Sequence, residues 1–351
     1  MSGPSLHFPA HVLGLKSIDM SAAPPPAVQV ILGAMEFGHT ATEQLSQTIL
    51  QSFLAASHRE VDTARVYADG KSEQIIGRLP AAIKSQITLH TKVNPLLNEA
   101  GFTPDGITQQ ANASLEALQL QPSPANPPID ILYLHRPDPN NPIEPTLQAM
   151  NELHVRGVYR RLGLSNYPAW QVMEMYQLCV QHKYVLPSVY QGMYNALTRA
   201  VEPELFPCLR RLHIAFYAYN PLAGGMLTGR YSSYSDKPST GERFSHGRTA
   251  TMYSERYWKP ELFTALDTLA ATLQRVYGGK VTMTEASLRW MLHHSILKGG
   301  EGDGVILGAS KQEQLEQNLR AVEGGPLDAE VVKVLDEAWQ LCKANCQQYF
   351  R

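Results

Sequence analysis

The stretch Ile129–Leu164, IDILYLHRPDPNNPIEPTLQAMNELHVRGVYRRLGL, decides the fold. It opens on a strand-sized run, Ile129–His135, and continues into an amphipathic segment, Pro145–Arg156, with apolar residues at three- and four-residue steps. A second β-rich run, Tyr159–Leu164, follows directly. Strands joined through a helix pair in parallel by a right-handed crossover. The same unit recurs on both sides. Upstream lie strand candidates Val28–Met35, Glu60–Ala64 and Ile87–Val93; downstream lie Ser188–Gln191, Ala215–Tyr219 and Val305–Leu307. Between them come helical patterns at Ala41–Ser57, Asp105–Leu120, Tyr167–His182, Glu202–Leu212 and Leu262–Tyr277. Eight such units close into an α/β fold of the (β/α)8 TIM-barrel type, whereas doubly wound sheets usually stop at five or six strands. Length alone would suggest two domains, but barrels of this kind use as much chain in one, and residues 28–351 are read as a single barrel domain.

Two segments depart from the repeat. Gly224–Pro260 is rich in Gly, Ser, Tyr and Arg without clean periodicity, and a connection this long after strand seven is expected to be a ligand loop or lid. After strand eight the chain adds an extra C-terminal helix, Ala329–Cys346, and a tail. Residues 1–27, with Pro24-Pro25-Pro26 and no periodic pattern, read as a poorly ordered extension, lacking the basic-then-apolar profile of a secretory signal.

Composition narrows the function. The 351 residues carry a formal net charge of -2 and are 44% hydrophobic, an ordinary soluble balance without the basic footprint that nucleic acid requires. Runs such as Ile129–Leu134 are far too short for a membrane span, so a cytoplasmic protein is the default expectation. Cys179, Cys208, Cys342 and Cys346 are too few and scattered for a disulfide framework. Cys342 and Cys346 lie four apart on the last helix but lack further ligands for zinc, and His293-His294 point in different directions, so no metal is expected. No Gly-x-Gly-x-x-Gly motif follows an early strand, which argues against a nicotinamide-binding Rossmann domain.

In a barrel the chemistry sits at the C-terminal strand ends. Read in order, those ends give Asp62 and Tyr67 from Glu60-Val-Asp-Thr-Ala-Arg-Val-Tyr67, Lys92 from Leu89-His-Thr-Lys92, and His135 from Leu132-Tyr-Leu-His135. Singly, each is as easily a turn cap or a core residue. Together at one mouth they form a proton-transfer unit, since burying four such groups without purpose costs several kcal/mol each. An ammonium beside the tyrosine is expected to lower its pKa, an aspartate to keep that ammonium charged, and the imidazole to orient a carbonyl.

The pattern Asp62-x4-Tyr67 … Lys92 … His135 resembles the tetrad of the aldo-keto reductase superfamily, and the similarity spans nearly all of Val28–Arg351. Further segments match in order: Gly163-Leu-Ser-Asn-Tyr167, Val189-Tyr-Gln-Gly-Met-Tyr-Asn195, Tyr219-Asn-Pro-Leu-Ala-Gly-Gly225, Leu288-Arg-Trp290, and Ile306-Leu-Gly-Ala-Ser310 with Gln314-Leu-Glu-Gln-Asn318. The Gln191–Gly229 block and the ending Tyr349-Phe-Arg351 are most similar to the aflatoxin-aldehyde and succinic-semialdehyde reductase subgroup. The resemblance implies NADPH-dependent aldehyde reduction. Tyr67 would be the general acid, Lys92 and Asp62 its tuning partners, and His135 the carbonyl-orienting group. NADPH would lie across the mouth and give hydride from nicotinamide C4. Ser165, Asn166 and Gln191 match carboxamide contacts, Tyr219 the stacking aromatic, and Asn220, Leu222 and Gly224 the loop over the pyrophosphate. Gly308, Ser310, Gln314 and Asn318 match the adenosine site.

For the 2′-phosphate the leading cation is Arg243, with Arg230 and Lys311 as alternatives; each could equally be a solvated surface charge. The subgroup resemblance singles out Tyr253, Arg256 and Arg351 for a substrate carboxylate, which guanidinium groups pair bidentately. Arg351 would otherwise fray in solvent. Met35, Arg136 and Trp258 are further candidates for the pocket wall. The subgroup also implies a possible homodimer around a small-molecule aldehyde site. The rival reading is a cofactor-sensing regulatory protein like potassium-channel β subunits. It is disfavoured by the short Pro-rich start and the carboxylate-pairing arginines. A two-carboxylate hydrolase lacks two acids at adjacent strand ends.

Overall fold

The computed structural model describes residues 27–236, 238, 244, 245 and 247–351, with the side chains of 247–249 left aside. The extension expected at the N-terminus therefore lies outside the described residues but for Ala27, as does Arg243. Eight parallel strands close on themselves in sequence order: β1 Gln29–Gly33, β2 Glu60–Asp62, β3 Thr88–Val93, β4 Ile129–Leu134, β5 Tyr159–Ser165, β6 Pro187–Met193, β7 Ala215–Tyr219 and β8 Gly304–Gly308. Closure is made by β1 against β8, with Gln29 opposite Gly304 and Gly33 opposite Gly308.

The helices run α1 Glu43–Ala55, α2 Lys71–Gly77, α3 Ala81–Lys84, α4 Pro104–Leu118, α5 Ile143–Val155, α6 Ala169–His182, α7 Leu205–Arg211, α8 Gly247–Tyr257, α9 Pro260–Tyr277, α10 Met283–His293, α11 Gln312–Val322 and α12 Ala329–Cys342. Their starts follow capping chemistry. Thr42, Thr103 and Thr282 each accept a hydrogen bond from a backbone N–H of the first turn, and Pro104 occupies the first helical position of α4. Within Gly224–Pro260, where no regular element was expected, the chain forms α8. Its polar composition hides three buried positions at helical spacing, Ala250, Tyr253 and Tyr257. The last helix ends at Cys342 instead of Cys346, and a 3-10 turn, Lys343–Asn345, follows. All four cysteines are free.

Apolar side chains fill the cylinder: Ile31, Ile131, Tyr133, Val189, Ala215, Tyr217 and Ile306 meet inside it. Toward the N-terminal strand ends the filling turns polar. His90 is fully buried with Nε2 3.5 Å from Glu60 and 3.6 Å from Asp130, and Arg161 reaches Asp130 at 2.5 Å. Beneath β7 and β8, fully buried Asp303 accepts from the backbone N–H groups of Phe216 and Lys298, each at 2.8 Å, and pairs with both terminal nitrogens of Arg210. Two strand starts are thereby tied to one carboxylate.

This polar floor makes stability depend on acid. Burial alone would raise the Asp130 carboxyl, but the His90 imidazole and the Arg161 guanidinium beside it outweigh burial and hold it at about 2. An aspartate in the unfolded chain titrates near 3.9, so the stability gained, about 2 kcal/mol, is complete above about pH 4 and disappears as pH falls toward 2. Urea unfolding between pH 6 and pH 2 should show this loss, with a flatter profile for Asp130→Asn. Equal slopes for the two proteins would dismiss the carboxylate as the cause.

Candidate active site

Each member of the expected quartet leaves the barrel at the same end. Asp62 is the last residue of β2, Lys92 the penultimate residue of β3, and His135 follows β4 directly. Tyr67 comes five residues after Asp62 in a 3-10 turn, Tyr67–Gly70, where Ala68 and Asp69 are left-handed with φ of 49° and 55°. Such strain persists only where the surroundings hold it. Here Arg65 bonds fully buried Glu73 at 3.3 Å, Glu73 accepts from Thr91 at 2.6 Å, and Ser72 donates to the Ala34 carbonyl at 2.8 Å. Gly70 has φ of 87°, and a Cβ there would strike the Arg65 guanidinium at 2.2 Å. The turn presenting Tyr67 is thus fastened to β1 and β3.

At the centre, the fully buried Lys92 ammonium donates to Asp62 Oδ2 and to the Thr63 carbonyl, each at 2.6 Å. Gln191 on β6 donates to the other Asp62 oxygen at 2.8 Å. The Lys92 nitrogen lies 5.0 Å from the centre of the Tyr67 ring and 5.6 Å from that of Tyr133, and His135 meets Tyr67 edge-on with ring centres 6.0 Å apart. Burial lowers the Lys92 pKa, against the opposing pull of Asp62.

The electrostatics correct one expectation. Tyr67 was expected to be made more acidic by the ammonium. Exclusion of water instead pushes its phenol well above 10, with Asp62 adding to the rise and Arg351 opposing it. A cation near the ring is outweighed when the phenolate would have to sit out of water. The imidazole of His135 moves the other way: burial, then the charges of Lys92, Arg351 and Arg136, hold it well below 6.5, so at neutral pH it is uncharged. The mouth holds a protonated phenol and a neutral imidazole, both able to donate to an oxygen.

Around the quartet the remaining candidates fall into three places. Ser165 ends β5, Tyr219 ends β7, and Asn166 and Asn220 follow them in left-handed conformations with φ of 63° and 65°. Asn166 donates to the His135 carbonyl and to Ser165 Oγ, each at 2.9 Å, and accepts from the Tyr219 hydroxyl at 2.8 Å. Gln191, expected beside a carboxamide, is turned toward Asp62. Leu222 leads into a 3-10 segment, Ala223–Thr228, where Gly224 has φ of 69° and packs so tightly against Tyr253 that a Cβ would meet its ring at 2.6 Å. Beyond β8, Ser310 donates its N–H and hydroxyl to Gln314 at 3.0 and 2.9 Å, and Asn318 donates to the Gly308 carbonyl at 3.4 Å. Arg230 and Lys311 are exposed.

These residues fit an extended dinucleotide. A Cβ at Gly225 or at Gly308 would meet nothing within 4 Å, so both glycines expose open backbone at the two ends of the arc from β7 to β8. Among the described residues no group of three His, Cys, Asp or Glu could hold a metal, and no helix is long and apolar enough to cross a membrane.

Of the substrate candidates, Met35 is partly exposed just past β1. Arg351 does not fray: its backbone N–H donates to the Asn166 carbonyl at 3.2 Å and its guanidinium to the Tyr219 hydroxyl at 3.1 Å. Tyr253 and Arg351 lie close enough to Tyr67 to influence its ionisation. Arg256 instead bonds Gln347 at 3.1 Å, one step back from the quartet. Trp258 packs among Tyr231, Phe244 and Phe263 and belongs to that aromatic cluster. Sequence reasoning missed Asn94, whose amide nitrogen lies 3.2 Å from His135 Nδ1, as well as the Thr63 carbonyl and Tyr133. Asn94 stands two residues past Lys92, so inspecting the residue after each strand end would have found it.

Comparison with known proteins agrees with this geometry. Residues 29–340 match the model of the aldo/keto reductase family. The chain is 45% identical over 342 residues to human aflatoxin B1 aldehyde reductase member 2, covering 96% of this chain and 93% of that one. It is 46% identical over 341 residues to human aldo-keto reductase family 7 member A3, covering 95% and 100%. With aldo-keto reductase pigE of Monascus ruber the identity is 35% over 355 residues, covering 94% and 99%.

Proposed function

This chain belongs to the aldo/keto reductase family, and from that premise we propose that it reduces aldehydes to alcohols with NADPH, Tyr67 acting as general acid. The observation that carries the reading is the convergence of Tyr67, Lys92, Asp62 and His135 at one barrel mouth, with Lys92 2.6 Å from Asp62. When bound, NADPH supplies a hydride from nicotinamide C4 to the carbonyl carbon. Ser165, Asn166 and Tyr219 would hold its nicotinamide end, Asn220, Leu222 and Gly224 its pyrophosphate, and Gly308, Ser310, Gln314 and Asn318 its adenosine. Arg230 or Lys311, and Arg243 outside the described residues, would supply charge for the 2′-phosphate. The relatives named as aflatoxin B1 aldehyde reductases support an aldehyde as the substrate class.

The raised Tyr67 pKa suits an acid that must keep its proton until an alkoxide develops. An alkoxide is a far stronger base than a phenolate, so the O–H bond breaks toward the substrate oxygen at the moment charge appears there. The Lys92 ammonium, held by Asp62 and Thr63, stabilises the phenolate left behind. Neutral His135 donates to the same carbonyl oxygen and sets its direction. Steady-state assays with acidic, aromatic and dicarbonyl aldehydes, each with NADPH and NADH, test the reading through nicotinamide absorbance. Absence of turnover with every aldehyde would refute it.

The substrate we favour is an aldehyde that also bears a carboxylate, the simplest being succinic semialdehyde. Support comes from Arg351, bonded to Tyr219 beside the quartet, with Tyr253 packed nearby and Met35 at the rim. Replacing Arg351 by Ala should raise KM for succinic semialdehyde about tenfold, the scale of one charge-assisted pair, and leave KM for a neutral aldehyde nearly unchanged. An equal rise for both substrates would remove the carboxylate from the proposal.

A further inference from the structure

Asn94 takes no part in the chemistry above, yet its amide determines where the imidazole proton sits. We propose that Asn94 is a positioning residue that locks His135 as the tautomer protonated on Nε2, leaving that N–H to meet the substrate carbonyl; the proposal rests on the reductase reading.

The argument begins with the orientation of the amide. The backbone N–H of Leu96 donates to Asn94 Oδ1 at 3.0 Å, and a backbone N–H can only donate. The oxygen end is therefore fixed, and the nitrogen end, which can only donate, is the end 3.2 Å from His135 Nδ1. The Asn94 main chain is held too: its backbone N–H donates to Gln110 Oε1 at 2.7 Å. His135 is pinned as well: its N–H donates to the Val93 carbonyl at 3.0 Å, and its carbonyl accepts from Asn166 at 2.9 Å. A neutral imidazole that accepts at Nδ1 bears its hydrogen on Nε2. Burial first, and then the charges of Lys92, Arg351 and Arg136, disfavour a second proton.

The consequence is directional. An Nε2–H can donate to a carbonyl oxygen and polarise it, whereas the opposite tautomer would turn a lone pair toward the oxygen's own lone pairs. The tautomer decides whether the imidazole helps or hinders hydride addition.

Asn94→Asp isolates this role. A carboxylate keeps the acceptor for the Leu96 N–H and the side-chain size, replaces the donor facing Nδ1 by an acceptor and adds a negative charge, so Asn94→Leu, which adds none, is measured beside it. Two-bond proton–nitrogen correlation spectra of histidine-labelled protein, loaded with NADP+ and assigned with His135→Asn, read the tautomer directly. The unaltered protein should show a pyrrole-like Nε2 and a pyridine-like Nδ1. In Asn94→Asp the proton should move to Nδ1 or be joined by a second, and in Asn94→Leu the two tautomers should mix. For Asn94→Asp, kcat with a fixed aldehyde should fall roughly ten- to a hundredfold, the range seen when the partner orienting a functional imidazole is lost. The Kd for NADPH should change less than about twofold, because Asn94 is a positioning group and not a binding one.

A proton on Nδ1 alone in the unaltered protein, or a neutral imidazole protonated only on Nε2 in both variants, overturns the proposal. If Asn94→Asp does not fold, the unaltered protein and Asn94→Leu still decide it. The spectra need no turnover: if no aldehyde is reduced while Nε2–H is seen, the reductase reading falls and the tautomer assignment holds.

Discussion

Replacing Tyr67 by Phe should lower kcat for aldehyde reduction by about a thousandfold, within the range that a positioned general acid contributes, while NADPH binds as before. The substitution removes one oxygen. Among the described residues the Tyr67 hydroxyl makes no hydrogen bond, so its loss leaves no buried partner unsatisfied. The ring contacts to His135 and to Lys92 survive in phenylalanine. Nucleotide binding followed by fluorescence titration, beside steady-state turnover, separates the two effects. Turnover within tenfold of the unaltered protein would take the acid role from Tyr67 and with it the mechanism.

Lys92→Met should produce the largest loss of stability together with a comparable loss of turnover. Asp62 is almost wholly buried, and without the ammonium its charge is met, among the described residues, by the side-chain amide of Gln191 alone. Removing one partner of a buried ion pair costs about 3–5 kcal/mol. Converting Asp62 to Asn in the same protein should restore much of the urea midpoint without restoring activity. Recovered stability with recovered turnover would mean that the pair serves only the fold.

Why the barrel was legible is physical. Its strands are buried on both faces, so Ile129–Leu134 and Ala215–Tyr219 stand out as β-rich runs between helices of longer period. The quartet was legible for the opposite reason: Asp62, Lys92 and His135 are polar where the strands should remain apolar. Other features depend on partners far apart in sequence. Nothing local to Gln191 says that its amide turns to Asp62, and nothing near His90 announces Glu60, Asp130 and Arg161 around it. The rise in the Tyr67 pKa was misjudged because a charge neighbour can be guessed from a motif, whereas desolvation depends on packing. Helix α8 escaped because its apolar face is narrow in a polar segment.

The seam between β1 and β8 has a kinetic side. Gln29 and Gly304 pair from opposite ends of the barrel sequence, so among neighbouring strands this pairing closes the longest loop and carries the largest loop-closure entropy. Asp62, Tyr67, Lys92 and His135 lie within the first four strands, whereas Ser165, Asn166, Tyr219 and Ser310 come from the second half. Half-formed cylinders would therefore hold the proposed proton donors without the platform proposed for the nucleotide, and would show apolar strand edges to one another. Refolding should be slow and sensitive to protein concentration, and added NADP+ should favour the closed form by binding only where both halves have met.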